Sequence, residues 1–356
     1  MTFDFRSVKS GKRRDPLAFL MRGGLWIASW PYRLAVAIRN TRYDNGKRPT
    51  VDCGVPVISV GNLTTGGTGK TPIVCYLAAQ LRDRSVRVAI VSRGYKRGEA
   101  DENDEALELH SRLPDVPHIQ NPDRPEAARI AVEELESQVI LMDDGFQHRR
   151  LQRDQDIVVI DATCPFGYGH LLPRGLLRES MQSLRRADLV IVSRCGIVTE
   201  PELNAIESKI ASINSNVPVV RSDHQPRTLL TYPEQRTEIQ QLAGQRVAVI
   251  CAIGNPDAFV ETVQLSGATV VATRFLPDHD TYDPETMTKI RDWIRLLGDQ
   301  IDQVVCTHKD LVKIRSDQIA GKPIQAILIE LTLLGDATAV DALLDSVTRQ
   351  VAEQEA

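Results

Sequence analysis

G-N-L-T-T-G-G-T-G-K-T-P, residues Gly61 to Pro72, stands directly behind the apolar run Val55-Pro56-Val57-Ile58-Ser59-Val60. An apolar run that breaks into glycines and then Lys-Thr predicts a buried strand, a tight loop and a helix start, the setting of a phosphate-binding loop. Glycine is required because backbone N–H groups must curl around phosphate oxygens, and the start of the following helix adds a favourable dipole. The usual G-x-x-x-x-G-K-[ST] pattern has glycine where this chain has Thr64, so the loop is a variant of the form G-G-x-G-K-T. Thr64, Thr65, Gly66, Gly67, Thr68, Gly69, Lys70 and Thr71 are the residues expected around a bound nucleotide such as ATP. Lys70 is suited to the β- and γ-phosphates, and the Thr71 hydroxyl to Mg²⁺.

On either side of this loop the pattern repeats. Arg87 to Ser92, Val139 to Met142, Ile157 to Asp161 and Leu189 to Ser193 are apolar runs, and helix-compatible segments such as Ile73 to Ala79 and the stretch after Pro125 separate some of them. Strands apolar throughout and alternating with helices predict a parallel sheet covered on both faces. Residues 222–245 turn to Pro, Gln, Thr and Arg, the texture of a connection, and a second alternating series follows, with a helix expected over Pro284 to Leu297. The fold class is therefore α/β. A P-loop NTPase-like domain over 51–225 is joined to a smaller α/β domain over 226–356.

Residues 1–50 form a third segment, with eleven Lys/Arg against only Asp4, Asp15 and Asp44, although the whole chain carries a net charge of −4. Interleaved with those charges are Leu17, Phe19, Leu20, Trp26, Ile27, Trp30, Leu34 and Ile38. No uncharged run approaches the ~20 residues that a spanning helix needs. An amphipathic helix lying in a membrane interface suits this composition, and so does a helix packed on the catalytic domain. Six cysteines without a C-x-x-C pair argue against a zinc site or a disulfide framework and favour a reducing cytoplasm.

The run from Val139 ends in Asp143-Asp144-Gly145-Phe146-Gln147-His148. Carboxylates at the end of a strand downstream of a phosphate loop are placed to face the metal held by Thr71, so Asp143 and Asp144 are the candidate Mg²⁺ ligands. Phosphoryl transfer also needs a group to orient or deprotonate the acceptor. From residue chemistry alone Asp101, Asp104, Asp161, His148, His279 and Asp280 all qualify. Thr307-His308-Lys309-Asp310 has the look of a base-reading Lys-x-Asp element, and the loop from Phe166 to Glu179 suits either an anion clamp or a structural connection.

Taken together, V-G-N-L-T-T-G-G-T-G-K-T-P, S-R-G-Y from Ser92, D-D-G-F-Q-H from Asp143, L-L-P-R-G-L-L-R-E from Leu171, F-L-P-D-H from Phe275 and T-H-K-D resemble, in order, the tetraacyldisaccharide 4′-kinases of lipid A biosynthesis. The resemblance implies two α/β/α domains and an ATP- and Mg²⁺-dependent kinase acting on the 4′-hydroxyl of an acylated glucosamine disaccharide 1-phosphate. It implies a peripheral protein on the cytoplasmic face of the bacterial inner membrane, with the N-terminal segment on the lipid surface. Neither nucleic acid nor an obligate protein partner is expected. The family's catalytic aspartate, in a G-D-E-P element, corresponds to Asp104 within Asn103-Asp104-Glu105-Ala106, with Asp101 close by. The histidine of its F-x-D-H element corresponds to His279. Two other classes share the loop: a nucleotide-switched ATPase of the partitioning or metallochaperone type, and a kinase or ligase of soluble substrates.

Overall fold

A computed structural model describes residues 8–11, 13–66, 68–94, 109–110, 112–253, 256–277 and 280–355. They fall into two units, one within residues 1–95, 115–223 and 332–356 and the other within 96–114 and 224–331. The first opens with helix α1 (Pro16–Asp44), started by Asp15, whose carboxylate accepts from Ala18 N at 3.1 Å, with Pro16 in the first turn. There follow β1 (Val57–Asn62), α2 (Lys70–Asp83), β2 (Val88–Ser92), β3 (His118–Gln120), α3 (Arg124–Glu133), β4 (Val139–Asp143), β5 (Gln155–Asp161), β6 (Leu189–Ser193), α4 (Glu200–Ala211) and the start of β7 (Val219–Thr231).

The strand order is β7-β6-β5-β1-β4-β2-β3, parallel at every pairing. Every residue of β1 is buried, as its central place requires. β4 lies on one side of β1 and β5 on the other, so the direction of strand addition reverses there. A reversal of this kind opens a crevice at the C-terminal strand ends, where the phosphate loop emerges. α2 covers the sheet with Ile73, Val74, Leu77, Ala78 and Leu81, all fully buried. Each of the larger ones contributes about 2 kcal/mol. α3 comes close to the sheet because Ala127, Ala128 and Ala131 face it.

In the second unit the polar stretch expected to be a connection folds as a hairpin: β7 continues and pairs antiparallel with β8 (Gln235–Glu238), Thr228 opposite Glu238. β8 is polar and mostly exposed, and the paired part of β7 buries only Leu229 and Leu230, too short an apolar run to mark the strand. Next come β9 (Arg246–Cys251), α5 (Pro256–Leu265), β10 (Thr269–Phe275), α6 (Pro284–Leu297), β11 (Gln303–Thr307), α7 (His308–Ile314), β12 (Gln318–Ile319) and β13 (Lys322–Leu334). β10, β9, β11 and β13 run parallel in that order. Apolar clusters form around Ile290, Ile294, Val304 and Ile324 and around Val247, Val249, Val263 and Val305. The last helix, α8 (Thr338–Glu355), belongs to the first unit, where Arg84 meets Asp341 at 3.1 Å and Asp345 at 3.4 Å.

Candidate active site

β1 delivers its last residue, Asn62, fully buried at the mouth of the phosphate loop. Gly61 has to be glycine, since a Cβ there would stand 2.5 Å from Phe146 Cβ and 2.7 Å from Phe146 N, in the turn after β4. Gly69 takes a left-handed backbone (φ 79°) and serves as N-cap of α2 without any side-chain cap, leaving the first N–H groups of the helix to an anion. The loop is held from two sides. Asn62 Nδ2 donates to Thr68 Oγ1 at 3.0 Å, and Ser193 Oγ at the end of β6 donates to Thr68 O at 2.9 Å. Thr65 N donates to Leu176 O at 2.8 Å, and Arg178 N to Leu63 O at 2.7 Å. Gly67 lies outside the described residues.

The charged centre of the site is Asp144, which takes a left-handed backbone (φ 52°) just past β4. Arg178 clamps it with both terminal nitrogens, Nη1 to Oδ2 at 2.9 Å and Nη2 to Oδ1 at 2.7 Å. Lys70 Nζ stands 3.4 Å from Oδ1 and donates to Asn62 Oδ1 at 3.3 Å. Arg178 also donates to Asn62 Oδ1 and, through Nε, to Thr64 O at 3.2 Å. Burial works to raise the Asp144 pKa, but the Arg178 hydrogen bonds and the Lys70 charge prevail and hold the carboxyl well below its ordinary range. Asp143 is buried in the last position of β4, opposite Val60 of β1, and its carbonyl accepts from Arg124 Nη2 at 3.2 Å. Thr71 follows Lys70 in the first turn of α2. Two carboxylates and a hydroxyl are hard oxygen donors, the set Mg²⁺ takes together with phosphates and waters.

The structure thus brings together Asn62, Thr64, Thr68, Lys70, Asp144 and Arg178. Arg178 was one residue of a loop with two roles open; its guanidinium belongs to the phosphate site. Asp101, Asp104 and His279 lie outside the described residues. Among the other base candidates, Asp161 is bound to Thr163 and Arg194, and Asp280 accepts from Tyr282 N at 2.8 Å within a turn. Asp310 does not act as a free base reader: it is buried, caps α7 through Thr307, and accepts from Ala252 N at 3.1 Å and Tyr282 OH at 2.7 Å. That network makes the Lys-x-Asp element a structural one.

His148 and His118 flank the buried Arg124. Both are pushed down to about 4, first by burial and then by the Arg124 charge. Because the folded value lies below the ordinary 6.5, the unfolded chain takes up protons first. The stability these rings contribute is therefore intact above pH 6.5 and declines as pH falls toward 4. Thermal unfolding followed over that interval should show the decline, and the His118→Gln/His148→Gln double variant should flatten it. An equal slope in both proteins would assign the acid lability to other groups.

α1 is fixed to this site by polar anchors. Tyr32 OH donates to Arg178 O at 2.9 Å, and the fully buried Glu179 accepts from Arg39 at 2.8 Å, Asn40 at 3.2 Å and Arg186 at 2.9 Å. Helical periodicity places Ser29, Tyr32, Arg39 and Asn40 on one side and Phe19, Trp26, Ile27, Trp30 and Leu34 on the other. Those five apolar side chains are between 51% and 73% exposed. The helix is therefore packed on its domain by one face and open with an apolar stripe on the other. Trp26, Trp30 and Arg33 line one wall of a groove of about 220 Å³, facing His170, Arg174 and Met181. Among the described residues no helix is long and apolar enough to cross a membrane.

Comparison with known proteins agrees with this geometry. Residues 21–349 match the family model described as tetraacyldisaccharide-1-P 4′-kinase. The tetraacyldisaccharide 4′-kinase of Anaeromyxobacter dehalogenans is 38% identical over 94% of this chain and 93% of its own length. That of Geobacter sulfurreducens is 34% identical over 96% of this chain and 98% of its own. Among solved structures, LpxK from Aquifex aeolicus in complex with ATP superposes with a TM-score of 0.73 at 28% identity, covering 93% of this chain and 99% of that one. With a phosphate loop, strand-end carboxylates and this full-length likeness in hand, the chain belongs to the tetraacyldisaccharide-1-phosphate 4′-kinase family.

Proposed function

We propose that this chain transfers the γ-phosphoryl group of ATP to the 4′-hydroxyl of an acylated glucosamine disaccharide 1-phosphate, the lipid A precursor, as a peripheral enzyme on the cytoplasmic face of the bacterial inner membrane. The observation that carries the reading is the convergence of Lys70 and Arg178 on both Asp144 and Asn62 beside the phosphate loop, in a chain of this family. Loop amides and Lys70 hold the phosphates and offset charge on the group in flight. Thr71, Asp143 and Asp144 would hold Mg²⁺, with Asp144 oriented by Arg178. The metal supplies Lewis-acid neutralisation of the phosphate oxygens. Asp104, oriented by His279, takes the proton of the 4′-hydroxyl as the new O–P bond forms.

Incubating the protein with ATP, Mg²⁺ and the acylated disaccharide 1-phosphate should add one phosphate to the sugar by mass spectrometry, and chelation should stop it. ATP consumed equally with and without acceptor, and no modified sugar, would instead indicate the nucleotide-switched ATPase class.

The membrane surface is the proposed environment of α1, supported by its apolar stripe and the basic residues around it. Replacing Phe19, Trp26, Trp30 and Leu34 with serine leaves the Glu179 anchors in place, so the fold should survive. Partitioning onto anionic vesicles and activity on micellar acylated substrate should fall at least about tenfold. Unchanged vesicle binding would remove the lipid-surface role of this helix.

A further inference from the structure

The sheet edge beyond the phosphate loop carries a polar cluster that the chemistry above leaves unassigned. β5 and β6 run in register from Ile157 opposite Leu189 to Asp161 opposite Ser193, and β1 lies beside β5 with Asn62 opposite Val159. Their C-terminal ends open at the edge where the loop emerges, and the Ser193 Oγ bond to Thr68 O ties β6 to the loop itself. The next residue, Arg194, takes a left-handed backbone (φ 60°), and at Gly196 a Cβ would stand 2.2 Å from Asp223 Oδ2, so the turn has little freedom. Arg194 Nη1 is bonded to Asp161, whose carboxylate also accepts from Thr163 N at 2.9 Å and Thr163 Oγ1 at 2.6 Å. Asp161 is nearly buried, while 34% of the Arg194 side chain stays open.

A nucleoside triphosphate is asymmetric about such a loop. With its γ end toward the carboxylates that follow β4, on one side of β1, the ribose and base must leave on the other side, over β5 and β6. We propose that Arg194, with its guanidinium fixed by Asp161, is the platform on which the purine base rests. A guanidinium with one edge committed to a carboxylate still presents its planar face, which attracts an aromatic ring; an ammonium has no such face. The proposal rests on the reading of the loop as the ATP phosphate site, and it adds which residue holds the other end of the nucleotide.

Calorimetric titration of the full chain with MgATP and, separately, with magnesium tripolyphosphate tests it, because tripolyphosphate occupies the loop and carries no base. Arg194→Ala should weaken ATP roughly tenfold and leave tripolyphosphate unchanged. Arg194→Lys keeps a cation for Asp161 and so protects the fold, and it should show the same selective loss in weaker form. Equal weakening of both ligands would mean that Arg194 acts only through Ser193 and the loop, and undiminished ATP affinity would place the base elsewhere; either result overturns the proposal. Failure of the unmutated protein to bind either ligand would sink the phosphate-site reading itself. Binding of both without sugar phosphorylation would sink only the kinase reading.

Discussion

Asp104→Ala should lower turnover of the acylated disaccharide by about 10²–10⁴-fold while ATP affinity stays within about twofold of the parent. A carboxylate of ordinary pKa, ~4, is a feeble base for an alcohol. In a loose phosphoryl-transfer transition state, however, the proton leaves late, so holding the hydroxyl in line matters more than basicity. Asp104→Asn keeps the shape and loses the charge, and should fall nearly as far. His279→Ala should cost less, since that imidazole acts through the carboxylate. Steady-state kinetics with calorimetric ATP binding reads all three. Turnover within tenfold of the parent for Asp104→Ala, with a large loss for Asp101→Ala, would move the base to Asp101.

What the chain reveals before folding is local. The phosphate loop announces itself because strand, glycines and Lys-Thr are contiguous from Val57 to Thr71, and Asp143-Asp144 because a carboxylate pair closes an apolar run. The α/β class follows from the same contiguity, and the expected helix over Pro284 to Leu297 is the observed α6. Features built from distant residues are silent. Thr64 bridges to Leu177, and Thr65 is held by Leu176, contacts across more than a hundred positions that no periodicity encodes. The same holds for Glu179, whose partners Arg39 and Asn40 sit on α1. The apolar residues of α1 are read correctly as a stripe, but which face meets the protein depends on Tyr32, Arg39 and Asn40 finding the loop before β6. The β7–β8 hairpin was hidden for another reason: β8 is polar and mostly exposed, and the facing part of β7 buries only Leu229 and Leu230, so no apolar run marks it.

Arg178→Ala should lower kcat/KM by about 10²–10³-fold, and Arg178→Lys should recover little of it. The guanidinium spans four acceptors at once: both oxygens of Asp144, Asn62 Oδ1 and Thr64 O. A planar fork does this; a single ammonium on a flexible stem does not. With the fork gone, Asp144 retains, among the described residues, the Lys70 ion pair, and the lysine needed on the phosphates is drawn to the unbalanced carboxylate 3.4 Å away. The backbone bonds of Arg178 N to Leu63 O and Thr65 N to Leu176 O do not involve the side chain, so the loop should stay attached and the protein folded. A pH profile separates this from general damage. In the parent, Asp144 is held below its ordinary range and stays ionised through mild acid; the stabilisation from its partners is present above about pH 3.8 and is lost only as pH falls through the lower folded value. Removing Arg178 takes away the leading charge-favouring partner while burial still opposes ionisation, so the acid limb of activity should move to higher pH in the variant and not in Arg194→Ala. A parent-like rate in Arg178→Ala, or full recovery by lysine, would show that the clamp on Asp144 is dispensable and that Lys70 is positioned by Asn62 alone.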